Sequence, residues 1–99
     1  LLWGSVVNAG QSCLSIERVY VQDTIYKEFV DKIVKKANAL RLAYPSVESG
    51  QIGPIISDKQ VTIIENHLQD AYQKGAKALT GGKIEYHDGG AYCFPTILV

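Results

Sequence analysis

The sequence predicts an α/β fold in which two long amphipathic helices pack on a short, mainly parallel sheet. The first observation is an apolar stripe at helical spacing after Asp23, with charged residues on the opposite face. The second is a capping-box pair, Ser57 and Gln60, at the head of another periodic segment that Gly75 ends. The third is the alternation of these helices with short strand-like runs, which favours crossover connections and therefore parallel pairing.

The first half of the chain contains three of the predicted elements. Leu1–Ala9 is mostly apolar and stops at a small-residue turn, so we expect it to be helical. Residues 16–21 alternate between two faces and are rich in β-branched and aromatic side chains, which predicts a strand. The next helix, with Asp23 as its cap, has a stripe formed by Ile25, Tyr26, Phe29, Val30, Ile33, Val34, Ala37 and Leu40.

The second half begins with a loop that Pro45 and Gly50 mark and that runs to Gly53-Pro54. After the Ser57 helix, we expect a strand over residues 76–80, a turn at 81–82, a polar loop through 88–90 and a last strand from 92 toward 99. Proline cannot donate to a ladder, so Pro95 should interrupt that last strand or place it at an edge.

Composition restricts the classes of protein to consider. The 99 residues suffice for one domain or part of one. Ten basic residues balance ten acidic ones, which disfavours nucleic acid as a partner, and no apolar run approaches the roughly 18 residues of a membrane span. We therefore expect a cytoplasmic protein without a membrane segment. The absence of methionine and the apolar residues at both ends indicate a fragment.

Cys13 is the main candidate for chemistry, and the residues alone leave two interpretations open. Most cysteines simply pack as small apolar residues, so Cys13 could be a buried structural residue in a non-catalytic packing or assembly module. It follows a helix end on a glycine turn, however, where free amides can stabilise a developing oxyanion, so it could instead be a nucleophile. Thiol reactivity separates the two interpretations.

The turn has the sequence Asn8-Ala9-Gly10-Gln11-Ser12-Cys13, and Arg18 opens the next strand. This pattern resembles the active-site cysteine motif of the NAD(P)-dependent aldehyde dehydrogenases. Further landmarks appear in the order that the family shows, over essentially the whole chain. They are the amphipathic helix after the strand, the Gly53-Pro54 loop, the Ser57 helix, the Gly81-Gly82-Lys83 turn and the Phe94-Pro95-Thr96 strand. The chain departs from the family at Leu42-Ala43-Tyr44-Pro45, in place of a V-G-D-P-like loop, and at Glu17, where a small residue is common.

The resemblance implies a mechanism and an organisation. The Cys13 thiolate would attack a small-molecule aldehyde, the thiohemiacetal would pass hydride to NAD or NADP, and water would hydrolyse the thioester. The Cys13 backbone N–H would form part of the oxyanion hole. The family's general-base glutamate, its oxyanion-hole asparagine and its nucleotide-binding segments match no position here, so cofactor-binding and substrate-binding residues are unassigned. Residues 1–99 are thus expected to be part of an α/β catalytic domain that is inactive in isolation, from a parent enzyme that is a homo-oligomer.

Other polar and reactive side chains have simpler interpretations. Cys93 is flanked by aromatic residues and is expected to pack, and the two cysteines lack the spacing of a metal site. His67 should be solvated on the second helix, and His87 has no assigned role. A protease-like dyad of Cys13 and a histidine is disfavoured, because nothing in the sequence places either histidine near Cys13.

Two lysine-containing segments could be taken for binding sites, but simpler explanations fit both. Gly81-Gly82-Lys83 lacks the spacing of a phosphate-binding loop and is better explained as a turn between strands. Lys35-Lys36 is balanced by acidic neighbours on the same helix, which indicates a solvated face.

Overall fold

The chain, described over all 99 residues by a computed structural model, contains three α-helices, one 3-10 helix and four short strands. In chain order they are α1 (Leu2–Val6), the 3-10 helix (Val7–Gly10), α2 (Asp23–Asn38), α3 (Asp58–Gln73), β1 (Ala78–Thr80), β2 (Ile84–His87), β3 (Gly90–Cys93) and β4 (Ile97–Leu98).

Helix α2 is the helix that the apolar stripe predicts, with both ends slightly displaced. Asp23 is its first residue rather than its cap, and Gln22 occupies the cap position without a side-chain hydrogen bond. An acid in the first turn still stabilises the positive end of the helix dipole. The helix ends at Asn38, so Leu40 lies beyond it, whereas Ala37 is fully buried.

Helix α3 follows its sequence signals closely. The Ser57 hydroxyl accepts a hydrogen bond from the Gln60 N–H at 3.3 Å, which satisfies one free amide of the first turn. Gly75 has a φ of 96°, a left-handed conformation that glycine adopts without a side-chain clash. Ser57 as cap and Gly75 as terminator are therefore both confirmed.

The strands form two antiparallel pairs, β1 with β4 and β2 with β3, and the prediction of mainly parallel pairing is wrong for them. The reason is visible in the β2–β3 hairpin, where Asp88 and Gly89 form a two-residue connection with φ values of 47° and 81°. Such a short connection can join only antiparallel strands. The polar loop predicted before residue 88 is instead strand β2.

The last predicted strand is split. Strand β3 ends at Cys93 and β4 begins at Ile97, with Pro95 between them, so the predicted interruption at this proline is confirmed. By contrast, residues 16–21 form no paired strand. Their single backbone hydrogen bond joins the Ile16 N–H to the Gly4 carbonyl at 3.1 Å, because no strand of the chain lies beside them.

The buried core is small and lies beneath α3 and the hairpin. Only 9 of the 99 residues are buried, and one cluster of them consists of Ile55, Val61 and Ala91. A largely apolar cavity of about 570 Å³ opens between α1, α2 and the C-terminal strand, and Ile55 of the cluster lines it, whereas Cys13 does not. None of the helices combines the length and the apolar character required for crossing a membrane.

Candidate active-site turn around Cys13

Cys13 lies at the tip of a tight turn that spans residues 12–15. The Ser15 N–H donates to the Ser12 carbonyl at 3.0 Å, and the Leu14 N–H donates to the Ser12 hydroxyl at 3.3 Å. Cys13 is exposed and is a free thiol. Within these 99 residues, therefore, Cys13 is not the buried cysteine that the alternative interpretation expects.

The approach to this turn passes through three consecutive left-handed residues. Asn8, Ala9 and Gly10 have φ values of 54°, 56° and 74°. Asparagine and glycine tolerate this region, whereas for an alanine it costs about 1–2 kcal/mol. Helix α1 ends at Val6 and Val7 is extended, so the helix is shorter than the predicted Leu1–Ala9 segment. The left-handed run follows, and Cys13 lies outside the helix, as predicted.

The backbone amides at the turn differ in their hydrogen bonding. The Leu14 and Ser15 N–H groups are both used within the turn, but the N–H groups of Ser12 and Cys13 donate no hydrogen bond in the chain. A free amide on the residue that carries the thiol is a ready donor to an oxyanion formed on a carbonyl carbon bonded to that sulfur.

Gln11 connects this turn to the middle of the chain, a connection that sequence reasoning missed. Its Nε2 donates to the carbonyls of Asn8 and Pro54, each at 3.1 Å, and its Oε1 accepts from the Ile56 N–H at 2.8 Å. The sequence shows Gln11 only as one letter of the motif, because its partners lie 43 and 45 residues away.

Cys93 has different surroundings from Cys13. Its side chain packs against the buried cluster beneath α3, and its Sγ lies 3.8 Å from the Phe94 carbonyl oxygen and 3.9 Å from the Thr96 hydroxyl. Burial raises the pKa of the Cys93 thiol, with the hydrogen bond to Thr96 acting in the opposite direction. Cys93 is thus a packed, largely protonated thiol, in agreement with its apolar flanks.

Neither histidine is coupled to Cys13. His87 stacks on the Tyr44 ring at 4.9 Å between centroids and meets the Tyr92 ring edge-on at 5.6 Å. His67 is exposed on α3. These positions give no support to a cysteine and histidine dyad, and no group of three or more metal-ligating side chains converges anywhere in the chain.

Gly81 and Gly82 let their turn pack closely against residues 94–96 and Tyr72, and they do not form a phosphate site. A Cβ atom on Gly81 would lie 2.5 Å from the Thr96 hydroxyl and 2.6 Å from the Phe94 carbonyl oxygen. The Gly82 N–H donates to the Thr96 hydroxyl at 2.9 Å, and its carbonyl accepts from the Tyr72 hydroxyl at 2.6 Å. Because the protein itself uses these groups, residues 1–99 do not provide a fitting dinucleotide site here.

Comparison with solved structures gives the same fold in larger proteins. The protein PutA of Anabaena variabilis is 55% identical and superposes with a TM-score of 0.95 over 98% of this chain and 21% of its own. An aldehyde dehydrogenase from Bacillus cereus, solved as its NAD⁺ complex, is 30% identical with a TM-score of 0.87 over 98% of this chain and 20% of its own.

Sequence comparison agrees with the structural one. The succinate-semialdehyde dehydrogenase [NADP(+)] GabD of Escherichia coli is 40% identical over 92 residues, which are 93% of this chain and 19% of GabD. The chain thus spans about a fifth of the length of the relatives it matches. The model of the aldehyde dehydrogenase family matches residues 1–99. This chain belongs to the aldehyde dehydrogenase family.

Proposed function

We propose that this chain supplies the nucleophile of an NAD(P)-dependent enzyme that oxidises an aldehyde to a carboxylic acid. The observation that carries the proposal is the Cys13 turn, where an exposed thiol and its own unpaired backbone N–H stand together within a chain that belongs to the aldehyde dehydrogenase family. The nucleophile is Cys13, and its N–H is one donor of the oxyanion hole.

The chemistry of the Cys13 step follows from these two groups. The thiolate sulfur forms a bond to the aldehyde carbon, and the carbonyl π electrons move onto oxygen to give a thiohemiacetal oxyanion. The Cys13 N–H donates to that oxygen and stabilises the charge as it develops. After the carbon has been oxidised to a thioester, water adds to it, the C–S bond breaks, and the carboxylic acid and the thiolate are released.

The remaining components of such an enzyme lie outside residues 1–99 in this proposal. The bound nicotinamide would supply the hydride acceptor, and the Gly81-Gly82 turn does not fit it. No residue here matches the general-base glutamate or the oxyanion-hole asparagine that the family resemblance implies. We therefore propose that residues 1–99 are part of a catalytic domain and have negligible dehydrogenase turnover alone.

The identity of the cofactor and of the aldehyde follows less directly. Among the similar proteins, GabD is named for NADP and succinate semialdehyde, whereas the Bacillus cereus enzyme was solved with NAD⁺. Both cofactors therefore occur in proteins that resemble this chain, and we propose NAD or NADP as the acceptor. As in the family resemblance, the active form is proposed to be a homo-oligomer.

A matched pair of cysteine variants tests the proposed role of Cys13 in the natural polypeptide that contains residues 1–99. We expect Cys13→Ser to lower aldehyde-dependent NADH or NADPH formation by on the order of 10³-fold or more, because a hydroxyl is a much weaker nucleophile than a thiolate. Cys93→Ser should retain turnover within about threefold, since Cys93 is a partly buried packing residue and serine is close to it in size. Undiminished turnover in Cys13→Ser would exclude the proposed mechanism.

A further inference from the structure

Both polar atoms of the Gln11 side chain form hydrogen bonds, which join two parts of the chain. The Nε2 amide donates to the Asn8 and Pro54 carbonyls, and the Oε1 oxygen accepts from the Ile56 N–H. Pro54 and Ile56 are two residues apart, as are the groups along one edge of an extended strand. The carboxamide therefore pairs with this edge as a peptide group would.

The segment that Gln11 grips is itself fixed from the opposite edge. The Ile55 N–H donates to the Ala91 carbonyl on β3 at 2.7 Å. The Ile55 side chain is 8% exposed and belongs to the buried cluster with Val61 and Ala91. Helix α3 begins directly afterwards, capped by Ser57. Gln11 thus connects the cysteine turn to one of the most buried parts of the chain.

The turn itself has no other long-range hydrogen bond, and the Ile16 N–H to the Gly4 carbonyl joins the chain again directly after it. Of the hydrogen bonds that residues 7–15 form, those of the Gln11 side chain to Pro54 and Ile56 are the ones that extend to distant parts of the chain. The others are local, such as the Gln11 N–H to the Asn8 carbonyl at 3.1 Å. The left-handed run from Asn8 to Gly10 is unfavourable for an alanine at its centre, so the backbone needs an external restraint to stay there.

We infer that Gln11 is a positioning residue for the reaction proposed above, holding the Cys13 turn in register with the Pro54–Ile56 segment. This inference rests on the proposed function. Gln11 acts through the backbone and contacts no reacting atom, so its effect is on where the sulfur and the Cys13 N–H lie. A displacement of about 1 Å at a nucleophile can cost a factor of about 100 in rate.

Two variants remove the restraint in different ways. Gln11→Asn shortens the side chain by one methylene, so it cannot reach both distant partners. Gln11→Glu keeps the length, but the ionised carboxylate cannot donate to the Pro54 carbonyl. Gln69→Glu is the matched control, because Gln69 is exposed on α3 and forms no side-chain hydrogen bond.

The activity test uses p-nitrophenyl acetate with the natural polypeptide that contains residues 1–99, since this probe requires no nicotinamide. The thiolate displaces nitrophenolate, and water then hydrolyses the acetyl thioester. We expect both Gln11 variants to lower kcat by about 10- to 100-fold with KM unchanged within about threefold. Gln69→Glu should match the wild type.

Hydrogen exchange reports on the restraint independently of activity. Exchange of a peptide containing Ile56, followed by mass spectrometry, should be about tenfold faster in the Gln11 variants. The shorter Gln11→Asn side chain no longer reaches the Ile56 N–H, and the Gln11→Glu carboxylate is repelled by the Asn8 and Pro54 carbonyls that it cannot donate to. In Gln11→Glu the protection should return below about pH 4, where the introduced carboxyl is protonated and can both donate and accept. This recovery separates a lost hydrogen bond from general unfolding.

The outcomes distinguish the inference from the function on which it rests. Faster Ile56 exchange with kcat within twofold of wild type overturns the positioning role and leaves Cys13 as nucleophile. Unchanged Ile56 exchange in both variants overturns the restraint itself. If Cys13→Ser hydrolyses p-nitrophenyl acetate at the wild-type rate, the proposed function and this inference both fail.

Discussion

The two cysteines show how the surroundings of a single residue decide its chemistry. Cys13 is exposed on a turn between the left-handed residues 8–10 and residues 16–21, which pair with no strand. Cys93 instead packs against the buried cluster that contains Ile55. Burial raises the pKa of Cys93, so at a pH near 8 it remains a thiol. The thiolate is the reactive form of a cysteine, and Cys13 is the more accessible of the two side chains.

Alkylation should therefore separate the two residues. With iodoacetamide at pH 8, we expect Cys13 to be modified at least about tenfold faster than Cys93, as measured by peptide mass spectrometry over time. In guanidinium chloride, where both side chains are solvated, the two rates should converge. Preferential labelling of Cys93 in the folded chain would contradict this assignment of the surroundings.

Tyr44 carries a second residue-scale prediction. Its hydroxyl donates to the Asp88 carboxylate at 2.7 Å, and this hydrogen bond is the main cause that raises the pKa of Tyr44. Because the pKa of Tyr44 is higher in the folded state, its hydrogen bond stabilises the folded state fully below the unfolded-state pKa of about 10. This stabilisation is lost as the pH rises through the folded-state pKa.

We therefore expect Tyr44→Phe to lower the melting temperature by a constant amount between pH 7 and 9, and by less above about pH 10. Differential scanning calorimetry across this range measures the effect. Tyr20→Phe is the control, since Tyr20 is 90% exposed and forms no side-chain hydrogen bond. A Tyr44→Phe difference that stays constant up to pH 11 would exclude the linkage.

At the scale of secondary-structure elements, signals within a segment predicted the two long helices correctly, whereas the pairing of the strands was predicted wrongly. Helices α2 and α3 have apolar stripes and terminators within their own sequences, so their existence and most of their boundaries could be predicted. Strand β2 was not predicted, although Asp88-Gly89 is a typical hairpin connection, because the polar residues before it resemble a loop. Residues 16–21 have the composition of a strand, but a strand also requires a neighbour.

The cap of α3 is the element whose contribution can be measured most directly. Ser57→Ala should destabilise the folded state by about 1 kcal/mol, because the Gln60 N–H loses its acceptor. Ser57→Asp should retain most of the stability, since a carboxylate oxygen accepts the same bond. Urea unfolding followed by circular dichroism of the natural polypeptide gives both values. Equal stability of Ser57→Ala and wild type would show that the cap is dispensable.

In the candidate site, too, features set by neighbouring residues could be predicted from the sequence, and features set by distant residues could not. The exposed turn at Cys13 follows Asn8 and Gly10, two residue types that tolerate left-handed backbone, and it could be predicted from them. The role of Gln11 depends on Pro54 and Ile56, and no pattern in one sequence connects residues that far apart.

The whole molecule buries little of its apolar surface. Side chains as large as Trp3 and Tyr20 are 74% and 90% exposed, and an apolar cavity of about 570 Å³ stands open beside α2. Exposed apolar surface of this extent is typical of an interface rather than of a free monomer surface. The relatives, about five times longer, have further chain with which the corresponding face can be covered.

The 99 residues expressed alone should accordingly bind the dye ANS and self-associate, as measured by fluorescence and by light scattering after size exclusion at two concentrations. Val19→Lys should reduce association, because Val19 is 45% exposed and lines the apolar cavity. Thr24→Lys is the matched control on the charged face of α2. A monomer without dye binding would contradict this view, and aldehyde-dependent reduction of NAD or NADP by the isolated chain would contradict its proposed inactivity.

The distance that the Gln11 side chain spans also sets the order of events during synthesis. A growing polypeptide exposes its thiol early, but the carbonyl of Pro54 and the amide of Ile56 emerge from the ribosome only after more than forty further residues. Until then the left-handed bend has no distant partner, and contacts of such sequence separation form late. Nascent chains stalled before residue 54 should therefore carry a chemically accessible sulfur that lacks its mature orientation.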